Sequence, residues 1–461
     1  MDIPGNSESG SGGRRQPSAL SRPSPRPPAL TSPNQIRRVI LASFIGTTVE
    51  WYDFFLYGTA AALVFNHLFF PTLDPLAGTL SAYGTFAVGF VARPLGGAIF
   101  GHFGDRTGRK TMLVWSLLIM GIATASIGLI PSYDRIGVWA PILLVVCRFI
   151  QGVGVGGEWG GAVLLAVEHS GGARRGFHGS WAQMGVPSGL LLSTGLFAIL
   201  SAWLPKAAFL EWGWRVPFLL SVVLIAIGLF VRLRVLESPI FVALKETHRD
   251  SRTPLLDVLR QHPREVVVGM GMRFAQNVLF YIYTVFVPGY GEKSLGYGRN
   301  TMLGGVIVAS VVGLGSIPFW SHLSDRFGRR PVFLSGAVIS LLIVFPCLWL
   351  IERGPGLAAV AIVLAMVGHD MMYGPMAAYF SELFGTRVRY SGASLIYQLT
   401  SVFSGGLAPF IATLLMARSG PHAVAWYLVG CCAITVVATW FAPETHRTSL
   451  DEDSGPENSH A

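Results

Sequence analysis

Charge is scarce in this chain. Only 13% of its 461 residues are Asp, Glu, Lys or Arg, against about 25% in soluble globular domains, and the mean hydropathy is +0.52. That composition excludes a water-soluble fold and puts the core in lipid, where bilayer thickness sets burial. Cysteine is sparse too. The four, Cys147, Cys347, Cys431 and Cys432, fall in apolar stretches without metal-ligand spacing, so they predict small core side chains rather than a disulfide framework or a metal site. No nucleophile–base pair marks an enzyme, and no signalling domain marks a sensor. Gly152-Val-Gly154-Val-Gly156-Gly157 satisfies a dinucleotide-binding pattern by accident, since it follows no strand and sits in a continuous apolar helix. The basic balance, with pI ≈ 9.6, does not imply nucleic acid, because Lys and Arg gather in short connections between apolar runs, which is a topology signal.

Twelve apolar runs are present. A membrane-spanning helix needs about 20 mostly apolar residues, and such runs lie near 39–66, 77–100, 111–131, 140–168, 177–203 and 214–233, then near 266–289, 300–321, 331–351, 356–382, 391–417 and 423–442. The predicted fold is an all-α membrane protein of two six-helix bundles. Residues 37–234 form the first bundle and 265–443 the second, joined by a polar linker, 235–264, carrying Lys245, Arg249, Arg252 and Arg260. Residues 1–36, rich in Pro, Ser, Gly and Arg and without a signal-peptide pattern, and 444–461 are expected to be solvated cytoplasmic tails. With both termini inside, few Lys or Arg lie outside, namely Arg135, Lys206, Lys293, Arg299, Arg353 and Arg418; the inverse topology would reverse this bias.

One run occurs twice. Gly101-His-Phe-Gly-Asp105-Arg106-Thr-Gly108-Arg109-Lys110 returns as Ser321-His-Leu-Ser-Asp325-Arg326-Phe-Gly328-Arg329-Arg330. Each copy is expected in a short loop between apolar segments, at a membrane face, since clustered charge is costly in hydrocarbon. The repeat divides the chain into similar halves, the layout of a transporter whose bundles rock about a central site. A positive-inside loop explains the Arg residues but not the repeated Asp or the fixed Gly. The copies are therefore read as a cytoplasmic gate. Asp105 and Asp325 would accept from helix N-termini or nearby Arg, and Arg106, Arg109, Arg326 and Arg329 would bind Glu168 or Glu382. Gly101, Arg387 and Arg389 are assigned to the same gate.

Here the chain resembles a major facilitator superfamily transporter, and more narrowly the metabolite:proton symporter family. The resemblance rests on the repeated loop and on further motifs in order. These are Glu50-Trp-Tyr52-Asp53-Phe-Phe-Leu-Tyr57-Gly58, Ala92-Arg93-Pro94-Leu-Gly-Gly97, Arg148-Phe-Ile-Gln151-Gly-Val-Gly-Val-Gly-Gly-Glu158-Trp-Gly-Gly161, Trp212-Gly-Trp-Arg215-Val-Pro217-Phe, Glu237-Ser-Pro239 and Glu382-Leu-Phe-Gly-Thr-Arg387-Val-Arg389-Tyr-Ser-Gly392. It covers about residues 36–443 and implies alternating access and proton-driven uptake, with family substrates spanning shikimate-like acids, di- and tricarboxylates, 2-oxoglutarate and betaine or proline osmolytes. The family often has an acid at the position of Gln276, which this chain lacks.

The polar residues inside the spans are the candidate site. Glu50, Asp53 and Tyr57 share a face of helix one, where lost hydration favours a neutral acid that can take up and release a proton. On helix four Arg148 and Glu158 are too far apart to pair, at about 15 Å, so Arg148 is expected to meet a helix-one acid, with Gln151 one turn on. Tyr52 and Tyr57 are read as substrate contacts. Helix seven carries Arg273, Gln276 and Asn277 on one face, suited to a carboxylate or hydroxyl, with Tyr281 and Tyr283 beyond. Helix ten offers a possible proton relay, His369-Asp370, and Tyr373; Gln183 and Gln398 complete the set from helices five and eleven. Arg93 with Pro94 is read as packing and kink. The proton-coupling candidates are thus Asp53, Glu50, Glu158, Arg148, Asp370 and His369.

The function these residues suggest is proton-coupled uptake of a small polar metabolite, an organic acid in view of Arg148 and Arg273, at a bacterial plasma membrane. Zwitterionic osmolyte uptake is the alternative substrate class, although no long C-terminal coiled coil follows Pro443. Export by proton antiport is a further alternative, of which Gly185-Val-Pro187-Ser-Gly189 is a partial echo. The chain is expected to be a monomer needing no cofactor or metal beyond the proton gradient, with the bilayer, protons and substrate as its partners.

Overall fold

The structure, a computed structural model, describes residues 33–107, 109–156, 159–168, 174–233, 254–385 and 388–448. Twelve helical spans run through them. The first half holds α1 (Pro33–Ala60), α2 (Pro75–Thr107), α3 (Arg109–Leu129), α4 (Trp139–Gly156 and Trp159–Glu168), α5 (Arg175–Trp203) and α6 (Arg215–Leu233). The second holds α7 (Pro263–Tyr281), α8 (Arg299–Phe327), α9 (Arg329–Glu352), α10 (Pro355–Glu382), α11 (Arg389–Ser401, continuing as Ala408–Ser419) and α12 (Pro421–Phe441). Among the described residues nine helices are long and apolar enough to cross a bilayer, or ten counting α6 with the bent segment Lys206–Gly213 before it. The remaining two spans are α1, which carries Glu50 and Asp53, and α7, which carries Arg273, Gln276 and Asn277. Helices dominate because hydrocarbon offers no hydrogen bonds and each helix satisfies its own backbone.

The halves echo each other in detail. A five-residue π turn follows α1 at Ala61–Phe65 and its counterpart α7 at Ile282–Phe286. Across the molecule α5 packs along α8 and α10, and α2 and α4 pack against α11. The repeated run is not a loop. Helix α8 continues to Phe327 and α9 starts at Arg329, broken only by Gly328 at φ +104°, a backbone conformation that favours glycine. In the first copy α2 likewise extends to Thr107 and α3 begins at Arg109. Two other boundaries differ from the sequence reading. A linker helix, Pro254–Gln261, precedes α7, which starts inside the predicted linker. Glu444–Thr448, assigned to a solvated tail, packs back on the end of α9, with Thr445 1% exposed.

Small residues set the helix spacing. A Cβ added at Gly96 would collide with the Val153 carbonyl, at Gly152 with the Gly89 carbonyl and at Gly156 with the Arg93 carbonyl, so α2 and α4 touch backbone to backbone. Alanine normally favours a helix over glycine by about 1 kcal/mol; here the sign should reverse. Gly152→Ala is expected to cost about 1–3 kcal/mol through overpacking and to lower the melting temperature of the purified protein. Gly195→Ala, with open space at its Cβ, should leave it equal or higher. Equal responses would show that the α2–α4 approach is not limiting.

Candidate functional site

The centre is built where α1, α2 and α4 face α7 and α11. Asp53 on α1 is 0% exposed. Neither of its carboxylate oxygens accepts a hydrogen bond of ordinary geometry or joins an ion pair; the adjacent Thr124 hydroxyl donates instead to the Met120 carbonyl. Arg148 on α4, also 0% exposed, does not pair with Asp53. Its Nη1 donates to Gln151 Oε1, and Gln151 Nε2 donates on to the Asp53 carbonyl at 3.2 Å and to Thr124 Oγ1 at 2.8 Å. The Arg148 guanidinium lies over Phe54, Tyr57 and Phe86, 4.3, 4.3 and 4.9 Å from the ring centres. Room for it comes from Gly89, whose Cβ would meet the guanidinium carbon at 2.9 Å. The Tyr57 hydroxyl is spent on Thr85, at 2.6 Å.

Arg93, one turn beyond Gly89 on α2, is the residue that sequence reasoning passed over. It is 1% exposed and reaches the same Phe54 ring at 4.2 Å, with Phe90 at 4.5 Å and Trp51 at 5.6 Å. Its Nε and Nη2, like those of Arg148, are buried and without a hydrogen-bond partner. A guanidinium on an aromatic face gains about 0.5–2 kcal/mol, whereas removing an ion from water costs several kcal/mol. Ring contact alone therefore leaves both cations short of compensation. A charged residue inside an apolar helix, at Ala92-Arg93-Pro94, was the signal available in the sequence.

Arg273 on α7 is handled differently. Nε donates to the Tyr397 carbonyl at 3.3 Å, Nη1 to Gln276 Oε1 at 3.1 Å and Met376 Sδ at 3.8 Å, and Nη2 to Ser401 Oγ at 2.9 Å and Asn277 Oδ1 at 3.4 Å. Gln276, with its carbonyl turned to Arg273, presents its amide nitrogen to His369 Nε2 at 2.6 Å. His369 Nδ1 then meets Asp370 Oδ1 at 2.9 Å. One polar chain thus runs from α7 to α10, with Tyr373 stacked on His369. Asn277 donates to Ser404 Oγ at 2.9 Å.

The other candidates divide between interface and half-interior. Gln183 accepts from Trp159 and donates to the Tyr373 carbonyl at 3.1 Å, and Gln398 donates to the Gly156 carbonyl at 2.8 Å. Both stitch one half to the other through backbone oxygens. Tyr281 packs its ring against Phe54, Phe86 and Phe90 across the same interface. Tyr52 and Tyr283 face elsewhere. Tyr52 donates to the Pro217 carbonyl of α6 at 2.7 Å, because it sits about 100° round the helix from Asp53. Tyr283, two positions from Tyr281 and inside the π turn, faces away from it and lines an apolar crevice with Val344, Leu348 and Leu428 inside the second half. Glu158 lies outside the described residues.

At the end carrying the repeat, Asp325 accepts from the backbone N–H groups of Gly176 and Phe177, both at 2.9 Å, where α5 begins. Arg329 bonds Asp325 at 2.6 Å and Glu382 at 3.1 Å, and Arg175 approaches Glu382 at 3.7 Å. This buried cluster joins the two halves. Arg326 is exposed and joins no ion pair among the described residues; the break at Gly328 turns the start of α9 so that Arg329, and not Arg326, meets Asp325. Arg389 donates to the Ser381 and Phe384 carbonyls at the end of α10, within its own half. Gly108 and Arg387, and the side chains of Asp105, Arg106, Arg109 and Glu168 with the surroundings of Gly101, lie outside the described residues. Gly176 and Glu444 were not anticipated. A Cβ at Gly176 would meet Asp325 Oδ1 at 2.8 Å, and Glu444 accepts the Arg329 and Arg330 N–H groups at 2.8 and 3.0 Å. Burial pushes the Glu444 carboxyl up, but hydrogen bonds from the amides of Arg329, His446, Arg330 and Thr445 outweigh it and hold it below the usual glutamate range.

Two bundles meeting around a buried polar centre, with a breakable ionic cluster at one end, define a multi-pass membrane transporter, not an enzyme. The description Major Facilitator Superfamily matches residues 43–396 and 308–460, and the chain belongs to that family. It is 44% identical to the Shikimate transporter of Escherichia coli, spanning 90% of this chain and 96% of that protein. It is 43% identical to the same organism's Inner membrane metabolite transport protein YhjE, again over 90% and 96%. Identity is 36% with the Glycine betaine/proline/ectoine/pipecolic acid transporter OusA of Dickeya dadantii, over 90% and 85%. In architecture it matches the xylose transporter XylE from Escherichia coli in a partially occluded inward open conformation, with TM-score 0.72 and 19% identity over 90% of this chain and 100% of that one.

Breaking one member of a buried ion cluster costs about 3–5 kcal/mol. Asp325→Asn should therefore open this end, raising labelling by an impermeant maleimide of a cysteine placed at Ser321, which is 0% exposed. Unchanged labelling would remove Asp325 from the contact. Because the Glu444 value is depressed, its contribution is present above the ordinary glutamate range and is lost as pH falls through the lowered value. The melting-temperature gap between native protein and Glu444→Gln should accordingly be constant near neutrality and shrink in acid; a gap independent of pH would contradict the ionised cap.

Proposed function

We propose that this transporter is a proton symporter that carries a small organic acid into a bacterial cell across the inner membrane, with both termini and the Asp325–Arg329 cluster cytoplasmic. One observation carries the reading: among the described residues Asp53 is a fully buried carboxylate with no ion pair and no hydrogen bond of ordinary geometry at its oxygens, linked through Gln151 to a guanidinium that likewise joins no ion pair there. An ionised Asp53 would draw on Arg148; a protonated Asp53 leaves Arg148 open to the anion of the substrate. Proton and anion then favour each other's binding, which is the linkage a symporter requires, and together they cross as a neutral load.

Alternating access follows from where the halves touch. The cytoplasmic cluster of Arg175, Asp325, Arg329 and Glu382 holds that mouth shut. At the opposite end Ser201 bonds Asn300 at 2.9 Å and Lys293 bonds Thr79 at 3.3 Å. Breaking either set while keeping the other exposes the centre to one side at a time. The named relatives that carry shikimate and metabolites support the acid; OusA, named for betaines and proline, supports a zwitterion, whose carboxylate would meet the same cations. His369–Asp370 is a second proton-holding pair in this scheme, and Gln183 and Gln398 must release their carbonyls as the halves rock.

The test is uptake of labelled shikimate, succinate, 2-oxoglutarate, betaine and proline into proteoliposomes made acidic outside. Asp53→Asn should abolish accumulation while retaining exchange of internal for external substrate. Full accumulation by that variant would reject Asp53 as the coupling acid.

A further inference from the structure

The bond inventory of the three central arginines distinguishes them. A guanidinium has five N–H donors. All of those on Arg273 point at acceptors of the second half: the Tyr397 carbonyl, Gln276, Met376, Asn277 and Ser401. Arg93 and Arg148 differ, each keeping Nε and Nη2 buried with no partner, which is one N–H and one NH₂ apiece. Their guanidinium carbons lie 4.2 and 4.3 Å from the centre of the same Phe54 ring. They are therefore at most about 8.5 Å apart, the limit being reached on opposite faces of that ring, and a carboxylate bonding both at about 2.8 Å would span them past the ring edge.

We infer that Arg93, together with Arg148, is the subsite for the substrate's carboxylate, and that Arg273 is a positioning residue that orients Gln276 and His369 without touching the substrate. The inference rests on the symport reading and names the chemical class bound: a carboxylate held from two sides by the forks of α2 and α4. Several features fit. Phe54, the ring both cations share, presents them only a quadrupole, which a full negative charge outcompetes in a dry site. Glu50 lies within electrostatic range of Arg93, yet the open Nε and Nη2 remain unbonded. Gly89 and Arg93, four apart on α2, place an unobstructed seat for Arg148 and a second cation on one helix face. The Arg93 carbonyl against Gly156 and Phe90 against Gly405 and Gly406 fix that face against α4 and the π turn Val402–Gly406 within α11. Arg93 therefore stands at the junction of both halves, where a bound anion would be felt by each.

The test uses the full chain in proteoliposomes, in exchange mode without a pH gradient, with shikimate and the carboxamide of shikimate as paired probes. Arg93→Gln should raise the shikimate KM by about 30-fold or more, the usual effect of removing one partner of a buried charge pair, while exchange of the carboxamide is unchanged or improved. Arg93→Lys should recover part of the loss, since it restores charge but not the fork. In parallel, shikimate should raise the melting temperature of the detergent-solubilised native protein and not that of Arg93→Gln. If Arg93→Gln depresses both probes equally, or leaves the shikimate KM unmoved, Arg93 is packing and the inference is wrong. If the native chain exchanges succinate or 2-oxoglutarate but not shikimate, those acids and their amides replace the probe pair. If it exchanges none of the acids, the symport reading falls as well, and a pH-driven uptake failure with exchange intact would overturn only the coupling.

Discussion

A cation buried in a membrane must be given something negative, and this protein answers that demand in three ways. Arg329 is fully paired, with Asp325 and Glu382 as counter-ions. Arg273 has no carboxylate but has a neutral acceptor for every donor. Arg93 and Arg148 join no ion pair among the described residues, leave Nε and Nη2 without an acceptor, and lie on aromatic faces. The ordering is spatial as well: ion pairs at the membrane face, neutral satisfaction inside one half, and open donors at the junction of the two. A site that is electrostatically incomplete when empty is one that a ligand completes, because stabilisation withheld from the resting state is available on binding.

The contacts joining the halves are of a kind that can break. Gln183 and Gln398 reach single backbone carbonyls, and Asp325 reaches two amides at a helix start. Each is a net contribution of about 1 kcal/mol for a neutral hydrogen bond and somewhat more for a charged one. Within a half, glycine brings α2 onto α4 backbone to backbone, and Gly185 and Gly189 bring α5 close to Thr47, Trp51 and Tyr52 of α1. Glycine also sets the approach between the halves, where a Cβ at Gly176 would meet the Ser321 carbonyl and one at Gly160 would meet Ser394, so close packing as well as polar bonds joins the two bundles.

Much of the site was legible in the sequence because hydrocarbon is unforgiving. An acid or arginine within an apolar span costs enough to be there for a reason, so Asp53, Arg148, Arg273 and His369-Asp370 stand out by location alone. The repeated run, not burial, named Asp325 and its partner Glu382. Location failed where the face of a helix matters. Tyr52 is adjacent to Asp53 yet bonds α6, Tyr283 is two residues from Tyr281 yet points into the second half, and Arg326 sits beside Asp325 yet faces solvent. Arg93 was dismissed because Pro94 offered a simpler account. Gly176 and Glu444 carry no chemistry until a partner from a distant segment is brought to them.

Twelve spans, two related halves, charge excluded from the hydrocarbon except at a few positions, and a repeated acidic–basic run at helix ends are properties of the amino-acid order alone, since bilayer thickness and desolvation act on each segment separately. Which arginine is paired, which is satisfied and which is left open was decided only by tertiary structure. A guanidinium's partners come from other helices, and their carbonyls, rings and amides converge on it only once the two bundles have packed.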